Sequence, residues 1–544
     1  MAYLATFGGP RSERRFSETA EVSLWSPLRQ TAFLGLFLAA FTSNVGTWIQ
    51  NVAAAWLMTS LAPNPVMVGL VQTLSGLPVF LLIIPAGALA DLVDRRRLLL
   101  FAQGWMFAAV ALLGWLTVEG AMTPWVLLFL TFVVGIGAAL NGPAWQASLP
   151  EQVPRDQLTA SIALNGIQFN LARAIGPALG GVLVAAIGAG SAFLINAASF
   201  LVVLVVLYRW RREPTKSTLP AERLVGAIKA GIRYTRYSRP LSDVLVRAGA
   251  FVVCGSAVPA LLPLYARNEL GAGATGYGIL LGFFGAGGVI GGLLMPEVRR
   301  HMSRDQTLSG SAIIYAGATA VLGAVNVAWA AYPAMCLAGL AWVLGMTSLN
   351  VTAQVVVPQW VKARALASYQ LVVQGSIALG GLLWGGAASH SSIPLALDLA
   401  AVLLVVGLVV GLRYHLSESE TFVSEPLSLM PLPEVTSEIK LDAGPVMVSI
   451  EYEIDPARAT DFEHAMNALR TIRYRDGAVF WGLFSDAAKP SRYVEYFMVE
   501  SWAEHLRQHS RVTDEDAPAL ERARRFHIRP TPPVISHQVA STGT

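Results

Sequence analysis

The chain has 544 residues, of which 54% are hydrophobic and only 14% are charged, and its formal net charge is +4. Soluble domains carry about 25% charged residues, and the mean hydropathy here is +0.52. The composition therefore excludes an ordinary soluble protein and indicates a multi-span membrane protein with a polar tail. The positive charge does not indicate nucleic-acid binding, because the basic residues cluster in short loops beside apolar runs.

Residues 1–30 are polar and basic without a cleavable signal pattern, so we expect a retained, cytoplasmic N-terminal segment. Apolar runs follow, each close to the roughly 20 residues that cross about 30 Å of hydrocarbon. The sequence predicts twelve spans, at 31–59, 66–90, 98–118, 122–146, 158–186, 190–208, 243–266, 275–297, 307–328, 332–356, 365–388 and 391–413.

The loop after the second span has the most informative local pattern. Its members, in order, are Gly87, Asp91, Asp94, Arg95, Arg96 and Arg97. Arginines are costly to carry across lipid, so this loop is expected on the cytoplasmic side. We expect Gly87 to permit close helix packing, and Asp91 to form with the arginines a latch that breaks and re-forms. A static role in setting topology explains the arginines equally well.

Basic and nearly uncharged loops alternate along the chain, with Arg267 as the exception. By the positive-inside rule, the N-terminus, the middle loop and the C-terminal tail are all cytoplasmic, which requires an even number of spans. We expect a six-span bundle at 31–210, a cytoplasmic linker at 211–240 and a second bundle at 241–415. In the linker, the spacing of Leu224, Ile228 and Ile232 predicts an amphipathic helix on the membrane surface.

The loop and the fifth span together resemble the major facilitator superfamily. The loop matches the pattern between spans two and three of that superfamily, except that Asp94 stands where a second glycine is usual. Gly176-Pro177-x-x-Gly180-Gly181 is similar to the fifth-span signature of its drug/proton antiporters, and Asn141-Gly142-Pro143-Ala144 adds to the likeness. The subgroup resembled contains enterobactin-type siderophore exporters and transmembrane secretion effectors.

The resemblance implies alternating access, with a substrate site near the membrane midplane between two rocking bundles. Pro177 removes a backbone hydrogen bond, and the glycines Gly176, Gly180 and Gly181 let a neighbouring helix approach the kink, so this span is a candidate hinge. The densest glycine run, Gly282 to Gly292, is interpreted as close helix packing in preference to a ligand contact.

Polar side chains within spans are candidates for the substrate pathway, because each is costly in lipid unless paired or used. They are Asn44, Gln50, Asn51, Gln72, Gln168, Asn170, Arg173, Asn350, Gln354, Gln370 and Gln374. Many are expected to join helices instead. Arg173 suits an anionic or catecholate-like substrate or an ion pair. Trp48 and Trp56 suit either an aromatic ligand or anchoring at the interface.

Proton coupling needs an acid whose pKa changes between states, and Asp398 is the main acid predicted within the bilayer. Asp398 near the outer interface, without such a role, is the alternative. The two cysteines, Cys254 and Cys336, lie in apolar runs, so neither a disulfide framework nor a metal site is expected. We expect no cofactor.

The polar tail predicts a linker at 416–445, a small domain at 446–530 and a terminal segment at 531–544. Its β-α-β-β-α order resembles the ferredoxin-like domains of antibiotic-biosynthesis-type monooxygenases, which implies a dimerising or ligand-sensing unit. Three histidines, His464, His505 and His509, are interpreted as solvated helix residues in preference to catalytic or metal-binding ones, since their spacing matches no strong ligand motif.

The predicted fold is an all-α membrane protein with a twelve-span major facilitator fold, followed by a small α+β ferredoxin-like domain. The predicted function is proton-coupled export of a small organic molecule, siderophore-like or drug-like, across the inner membrane. Partners are then the solute, protons and the bilayer, with a homodimer through the C-terminal domain as an open question. The alternatives are a membrane-anchored protein with oxidoreductase or ligand-sensing activity in its tail, and a membrane scaffold that transports nothing.

Overall fold

The computed structural model describes residues 25–210, 232–358, 361–416, 439–509, 511 and 516–540. The N-terminal half of the described chain is a helical bundle, called the first bundle below. Its helices are α1 (Thr31–Leu61), α2 (Pro65–Leu92), α3 (Arg95–Val118), α4 (Pro124–Ser148) and α5 (Leu158–Arg209).

Helix α5 is 52 residues long, more than twice the roughly 20 residues that one span needs. It breaks at Gly188, where φ is 82° and ψ is 164°, a left-handed backbone conformation that glycine adopts without a steric cost. Eleven helical segments of the described chain are long and apolar enough to cross a membrane. With α5 counted as two spans, they number twelve, as the sequence predicts.

The second bundle follows a short helix, α6 (232–237), which is the described end of the linker. The linker positions Leu224 and Ile228 lie outside the described residues, so the amphipathic helix expected there stays a prediction. The helices of the second bundle are α7 (Arg239–Gly255), α8 (Ala257–Leu264), α9 (Ala274–His301), α10 (Arg304–Ala324), α11 (Ala328–Val355), α12 (Lys362–His390), α13 (Ile393–Val406) and α14 (Leu408–Gly411).

Short polar residues begin several of these helices. The Asn64 side chain accepts a hydrogen bond from the amide of Val66 at the start of α2, and Ser303 with Gln306 forms a reciprocal capping box at the start of α10. Such caps satisfy amides that have no partner inside the helix, and Pro65, in the first turn of α2, needs none. The ends of these spans are therefore encoded locally in the sequence.

The spans run between two ends that differ in charge. The arginine-rich end carries the loop Arg95–Arg97 and the exposed Arg299 and Arg300, whereas the far end carries the turns at Pro63 and Gly188. Because lipid offers no hydrogen bonds, the backbone between the ends satisfies its polar groups within helices. The many exposed leucines and valines of the spans fit a surface that faces hydrocarbon.

The described residues resume at 439, and the C-terminal domain follows. Its elements are β1 (Val446–Glu453), α15 (Ala459–Asp476), β2 (Phe480–Ser485), β3 (Arg492–Val499), α16 (Trp502–His509), α17 (Ala517–Arg524) and β4 (Val534–Val539). The four strands form one antiparallel sheet in the order β2-β3-β1-β4. Buried Phe462, Met466 and Leu469 of α15 belong to its hydrophobic core, as their helical spacing predicts.

The folded domain extends beyond residue 530, where the sequence placed its boundary. Strand β4 lies in the expected terminal segment 531–544, yet it pairs with β1 along the edge of the sheet, with Val446 opposite Val539. The strand follows two consecutive prolines and carries Ser536, His537 and Gln538. Its polar composition hides the alternation that would have marked it as a strand.

Candidate transport pathway between the two bundles

The two bundles contact each other along two lines of close helix packing, called seams below. The first seam lies between α9 and the part of α5 before Gly188. Gly181 packs directly against Gly278, and a methyl group added at Gly285 would lie 2.7 Å from the Cα of Ala174. At Gly282 the added carbon would lie 3.2 Å from the Cβ of Ala178. The two helices therefore touch through backbone over several turns, which small residues alone permit.

A second seam joins α2 to α12 in the same manner. Gly69 packs against Gly381, and a methyl group at Gly385 would lie 2.7 Å from the carbonyl oxygen of Pro65. The Thr73 hydroxyl donates a hydrogen bond of 2.7 Å to the carbonyl of Ala378 across this seam. These contacts lie from mid-depth toward the far end.

Two side-chain contacts join the bundles at the far end. The guanidinium of Arg267 donates hydrogen bonds to the hydroxyls of Thr59 at 3.1 Å and Ser60 at 3.0 Å. The rings of Trp56 and Tyr277 stack with their centroids 5.9 Å apart. Arg267, which the sequence marks only as an exception to the charge alternation, thus bridges α1 of the first bundle and the second bundle.

Arg173 lies on α5, four residues before Pro177 and one residue before the seam contact at Ala174. Its side chain is half-buried, and its guanidinium carbon lies 6.0 Å from the centroid of the Phe284 ring on α9. In the part of the chain that the structure describes, Arg173 forms no ion pair with a carboxylate. A cation therefore sits between the bundles with an aromatic face as its neighbour, an arrangement that attracts an anion or a π-system.

The remaining polar candidates divide into buried, half-buried and exposed side chains, and Gln50 and Gln168 are the buried ones. Gln50 accepts a hydrogen bond from Asn196 inside the first bundle, so it joins two helices of one bundle. Gln168 is 3% exposed, and its amide nitrogen has no hydrogen-bond partner among the described residues. The half-buried ones are Asn44, Gln72 and Gln374, and the exposed ones are Asn51, Asn170, Asn350, Gln354 and Gln370.

Three of the exposed candidates form local hydrogen bonds. The amide of Asn170 donates to the carbonyl of Gly166 at 2.8 Å within α5, and Gln354 donates to Asn350 at 2.8 Å within α11. Such bonds keep the polar groups satisfied and leave their remaining hydrogen-bonding capacity available. Whether these residues contact a solute stays a prediction.

The glycines around Pro177 serve two different helices. A methyl group at Gly176 would lie 2.6 Å from the Cβ of Trp48, and one at Gly180 would lie 3.0 Å from the Cα of Ile49, so both accommodate α1. Gly181, by contrast, faces α9 of the other bundle. Trp48 thus packs inside the first bundle, while Trp56 lies at the contact between bundles.

The dense glycine run of α9 is a packing surface, as interpreted from the sequence. Gly287 and Gly291 pack against the backbone of Cys336 and Leu340 on α11, while Gly282 and Gly285 face α5. One helix therefore contacts two neighbours through glycine, and no side chain separates the backbones.

The described contacts of the arginine loop leave the expected latch untested, and it stays a prediction. Among the described residues, no atom lies within 4 Å of a methyl group placed at Gly87, so they show no close helix packing there. Asp94 caps α3 by accepting a hydrogen bond from the amide of Arg97 at 3.0 Å. Arg96 donates to the carbonyls of Leu207 and Tyr208 at the end of α5, which neutralises that helix terminus. The Asp91 side chain lies outside the described residues.

Arg95 forms an ion pair that the sequence did not indicate. Its guanidinium lies 2.8 Å from a carboxylate oxygen of Glu151, beyond the end of α4, and also donates to the carbonyl of Ala147. Glu151 is 7% exposed at its side chain. The clue available in the sequence was a lone acid beside Pro150 at the end of an apolar span.

Asp398 is the sixth residue of α13, which begins at the far end. Its side chain is half-buried, and a methyl group at Gly323 of α10 would overlap its carboxylate. Asp398 therefore contacts a neighbouring helix of the second bundle and is not part of either seam.

The histidines of the C-terminal domain differ from one another in burial. His464 is exposed, as expected. His505 is 2% exposed and its ring centroid lies 4.7 Å from that of His537, so the expectation of a solvated residue is wrong there. His505 sits on the inner face of α16 opposite β4, a strand that the sequence did not predict. The described residues contain no group of three or more potential metal ligands, and the side chain of His509 lies outside them.

Two bundles joined by backbone seams, with polar groups between them, define the class of transporters with the major facilitator architecture. Among solved structures, the chain is similar to a bacterial homologue of the human lysosomal transporter Spinster in an inward-facing, unoccupied conformation. The TM-score is 0.56 at 16% identity, covering 72% of this chain and 96% of that one. At this identity the likeness concerns the fold alone.

The chain belongs to the transmembrane secretion effector family, whose model matches residues 22–543. It is 26% identical to a staphyloferrin A transporter of Staphylococcus aureus over 49% of this chain and 67% of that protein. It is 28% identical to the enterobactin exporter EntS of Salmonella typhimurium over 58% of this chain and 76% of that protein. The chain is therefore a multi-pass membrane transporter of small molecules and not an enzyme.

Proposed function

We propose that this chain exports a small organic anion of the siderophore class across the inner membrane by alternating access. The observation that carries the proposal is Arg173, which faces Phe284 beside the seam of α5 and α9 and pairs with no carboxylate among the described residues. The names of the relatives, a staphyloferrin A transporter and an enterobactin exporter, support a siderophore as the solute. Carboxylate and catecholate groups both offer the negative charge that a buried guanidinium attracts.

Alternating access is supported by where the bundles touch. The seam and bridge contacts described above run from mid-depth to the far end, and they include glycine backbone, the Thr73 hydroxyl and a few side chains around Arg267. Backbone seams allow one bundle to rock against the other without repacking large side chains. We propose that the arginine-rich end is cytoplasmic, as the positive-inside rule indicates. This conformation then opens toward the cytoplasm.

We further propose that export is coupled to protons, with Asp398 as the carboxylate to test. Its place on α13 is off both seams, so its protonation would act through the packing of α13 on α10 at Gly323. Replacement of Asp398 by asparagine should then abolish stimulation of export by a pH gradient. Stimulation equal to that of the unmodified chain would remove Asp398 from the coupling mechanism.

For the C-terminal domain we propose the ferredoxin-like class, supported by the β1-α15-β2-β3 order and by the position of β4 beside β1. Phe480 is 45% exposed and Phe484 is 52% exposed on β2. Such aromatic exposure supports a homodimer formed through this side of the sheet. Mass measurement of the detergent-solubilised chain, with and without Phe484→Lys, tests it: the variant should be monomeric.

The transport proposal is tested in proteoliposomes that contain the purified chain. A panel of catecholate, carboxylate and uncharged solutes is offered, and Arg173→Gln is compared with Arg299→Gln, which removes an exposed arginine at the arginine-rich end. Loss of one charged hydrogen bond costs about 1.5–3 kcal/mol, so Arg173→Gln should reduce transport of anions roughly 10- to 150-fold and leave uncharged solutes unchanged. If the unmodified chain moves none of the solutes, the proposal is wrong.

A further inference from the structure

Helix α6 is fastened to the arginine-rich end of the second bundle. The Tyr234 side chain is 3% exposed, and its hydroxyl donates a hydrogen bond of 3.2 Å to the carbonyl of Val356, just past the end of α11. The Thr235 hydroxyl donates to that of Ser368 on α12 at 3.1 Å. Helix α6 therefore joins the end of α11 to α12, and a change in the arrangement of these two helices at this end requires one of its hydrogen bonds to break.

The opposite side of α6 carries the C-terminal domain. The guanidinium of Arg233 lies 3.1 Å from the Glu504 carboxylate on α16 and donates to the carbonyl of Arg475 on α15 at 3.4 Å. The rings of Tyr237 and Tyr474 stack with centroids 5.4 Å apart and an interplanar angle of 16°. The short helix α6 thus connects the C-terminal domain to α11 and α12 of the second bundle.

Glu504 is held in place for this contact by a second arginine. Arg511 lies 2.6 Å from the Glu504 carboxylate and also donates to the carbonyl of Asp476. Burial alone would raise the pKa of Glu504, but the hydrogen bonds and charges of Arg511 and Arg233 outweigh burial and lower that pKa below its ordinary value. The carboxylate is therefore charged at neutral pH and available to Arg233.

Gly477 makes room for the junction. Its φ is 136°, and a methyl group there would lie 3.0 Å from the Glu504 carboxylate and 3.1 Å from the guanidinium of Arg511. With φ in a region that side chains other than glycine's rarely adopt, the chain turns sharply at the end of α15. The turn lets the carbonyl of Arg475 and the Glu504 carboxylate reach the same arginine on α6.

We propose that the C-terminal domain is a conformational brake, which holds the second bundle in the arrangement open at the arginine-rich end by gripping α6. The inference rests on the alternating access proposed above. Ser368, which binds α6, and Ala378, which binds α2 across the seam, lie on the same helix, about 15 Å apart at 1.5 Å per residue. If α6 holds its end of α12 in place, it therefore also restrains the part of α12 that forms the seam with α2, about which the bundles are proposed to rock.

The brake predicts that cutting the contact between α6 and the domain favours closure of the arginine-rich end. Arg233→Gln removes the charge on the carrier side, and Glu504→Gln removes its counterpart in the domain. Arg239→Gln is the matched control, because Arg239 is exposed and lies six residues further along the chain. All variants are made in the full-length chain, with Cys254 and Cys336 replaced by alanine.

Spin labels on cysteines at Arg97 and Met302, one exposed residue at the arginine-rich end of each bundle, report the opening in lipid nanodiscs. We expect the closed-to-open population ratio to rise roughly tenfold in both glutamine variants, which corresponds to about 1.4 kcal/mol, and to stay unchanged in Arg239→Gln. If folded, monodisperse Arg233→Gln and Glu504→Gln proteins give the same population ratio as the unmodified chain, the brake is wrong. Two populations in the unmodified chain would then still support alternating access. A single population in every protein would overturn both.

Discussion

The glycine seam between α5 and α9 makes a sharp prediction about the balance between conformations. In Gly181→Ala, the added methyl group would lie 2.8 Å from the amide nitrogen of Gly278 and 2.9 Å from the carbonyl oxygen of Ala274. Both are backbone atoms, so the helices must move apart. Such overpacking costs about 1–3 kcal/mol, and the penalty falls only on the conformation in which the far end is closed.

The penalty translates into a population shift of roughly 5- to 150-fold toward the conformation open at the far end, since 1.4 kcal/mol is a factor of ten. Spin labels on cysteines at Glu119 and Val327, at the far end of each bundle, measure that shift. Gly166→Ala is the control, because Gly166 lies on the same helix and a methyl group there meets no atom of the described residues within 4 Å. If Gly181→Ala and Gly166→Ala give the same distance distribution, the seam does not restrict the far end.

Three further changes test other parts of the structure. Arg267→Ala removes the two hydrogen bonds to Thr59 and Ser60. Because each is worth about 0.5–1.5 kcal/mol, the population open at the far end should rise roughly 5- to 150-fold, measured with the same spin labels. An unchanged population would show that these hydrogen bonds do not hold the far end closed. Glu495→Gln leaves the buried Arg473, 2.9 Å away, without its counter-charge at a cost of about 3–5 kcal/mol, so hydrogen exchange of β1 should accelerate while that of α1 stays the same. Burial raises the pKa of Asp476 to about 6 although Arg475 opposes it, so the folded domain binds a proton between pH 3.8 and 6 that the unfolded chain releases. The Asp476 contribution to stability therefore decreases as pH rises through that window, and denaturant unfolding of Asp476→Asn should lack this decrease; identical pH profiles would contradict it.

The span pattern was predictable from the sequence because hydrophobic length and loop charge act locally. Each apolar run predicts a helix by itself, and Gly188 marks the turn that divides α5. The close packing of Gly282 and Gly285 was also predictable, since small residues at helical spacing have few other uses in lipid.

Contacts between distant segments were not predictable in the same way. The sequence places Asp91 beside the arginines, but the ion pair of Arg95 is with Glu151, on a different loop. Helix packing decides which acid lies beside Arg95, and closeness in the sequence does not reveal that packing. The same applies to His505, whose burial depends on β4, a strand with too many polar residues to be recognised alone.

In the proposed mechanism, the side chains that select a solute and the surface on which the bundles rock consist of different chemical groups. Gly69 and Gly381, like Gly181 and Gly278, meet without side chains, so the proposed rocking surface depends mainly on main-chain shape, to which the Thr73 hydroxyl and Arg267 add side-chain contacts. The side chains of Arg173 and of the amides along α5 and α11 are not among these glycine contacts, so we expect that they can be exchanged while the glycine contacts stay the same. A carrier built this way is well suited to retuning: new cargo requires new lining residues, and the machinery that opens and shuts needs no redesign.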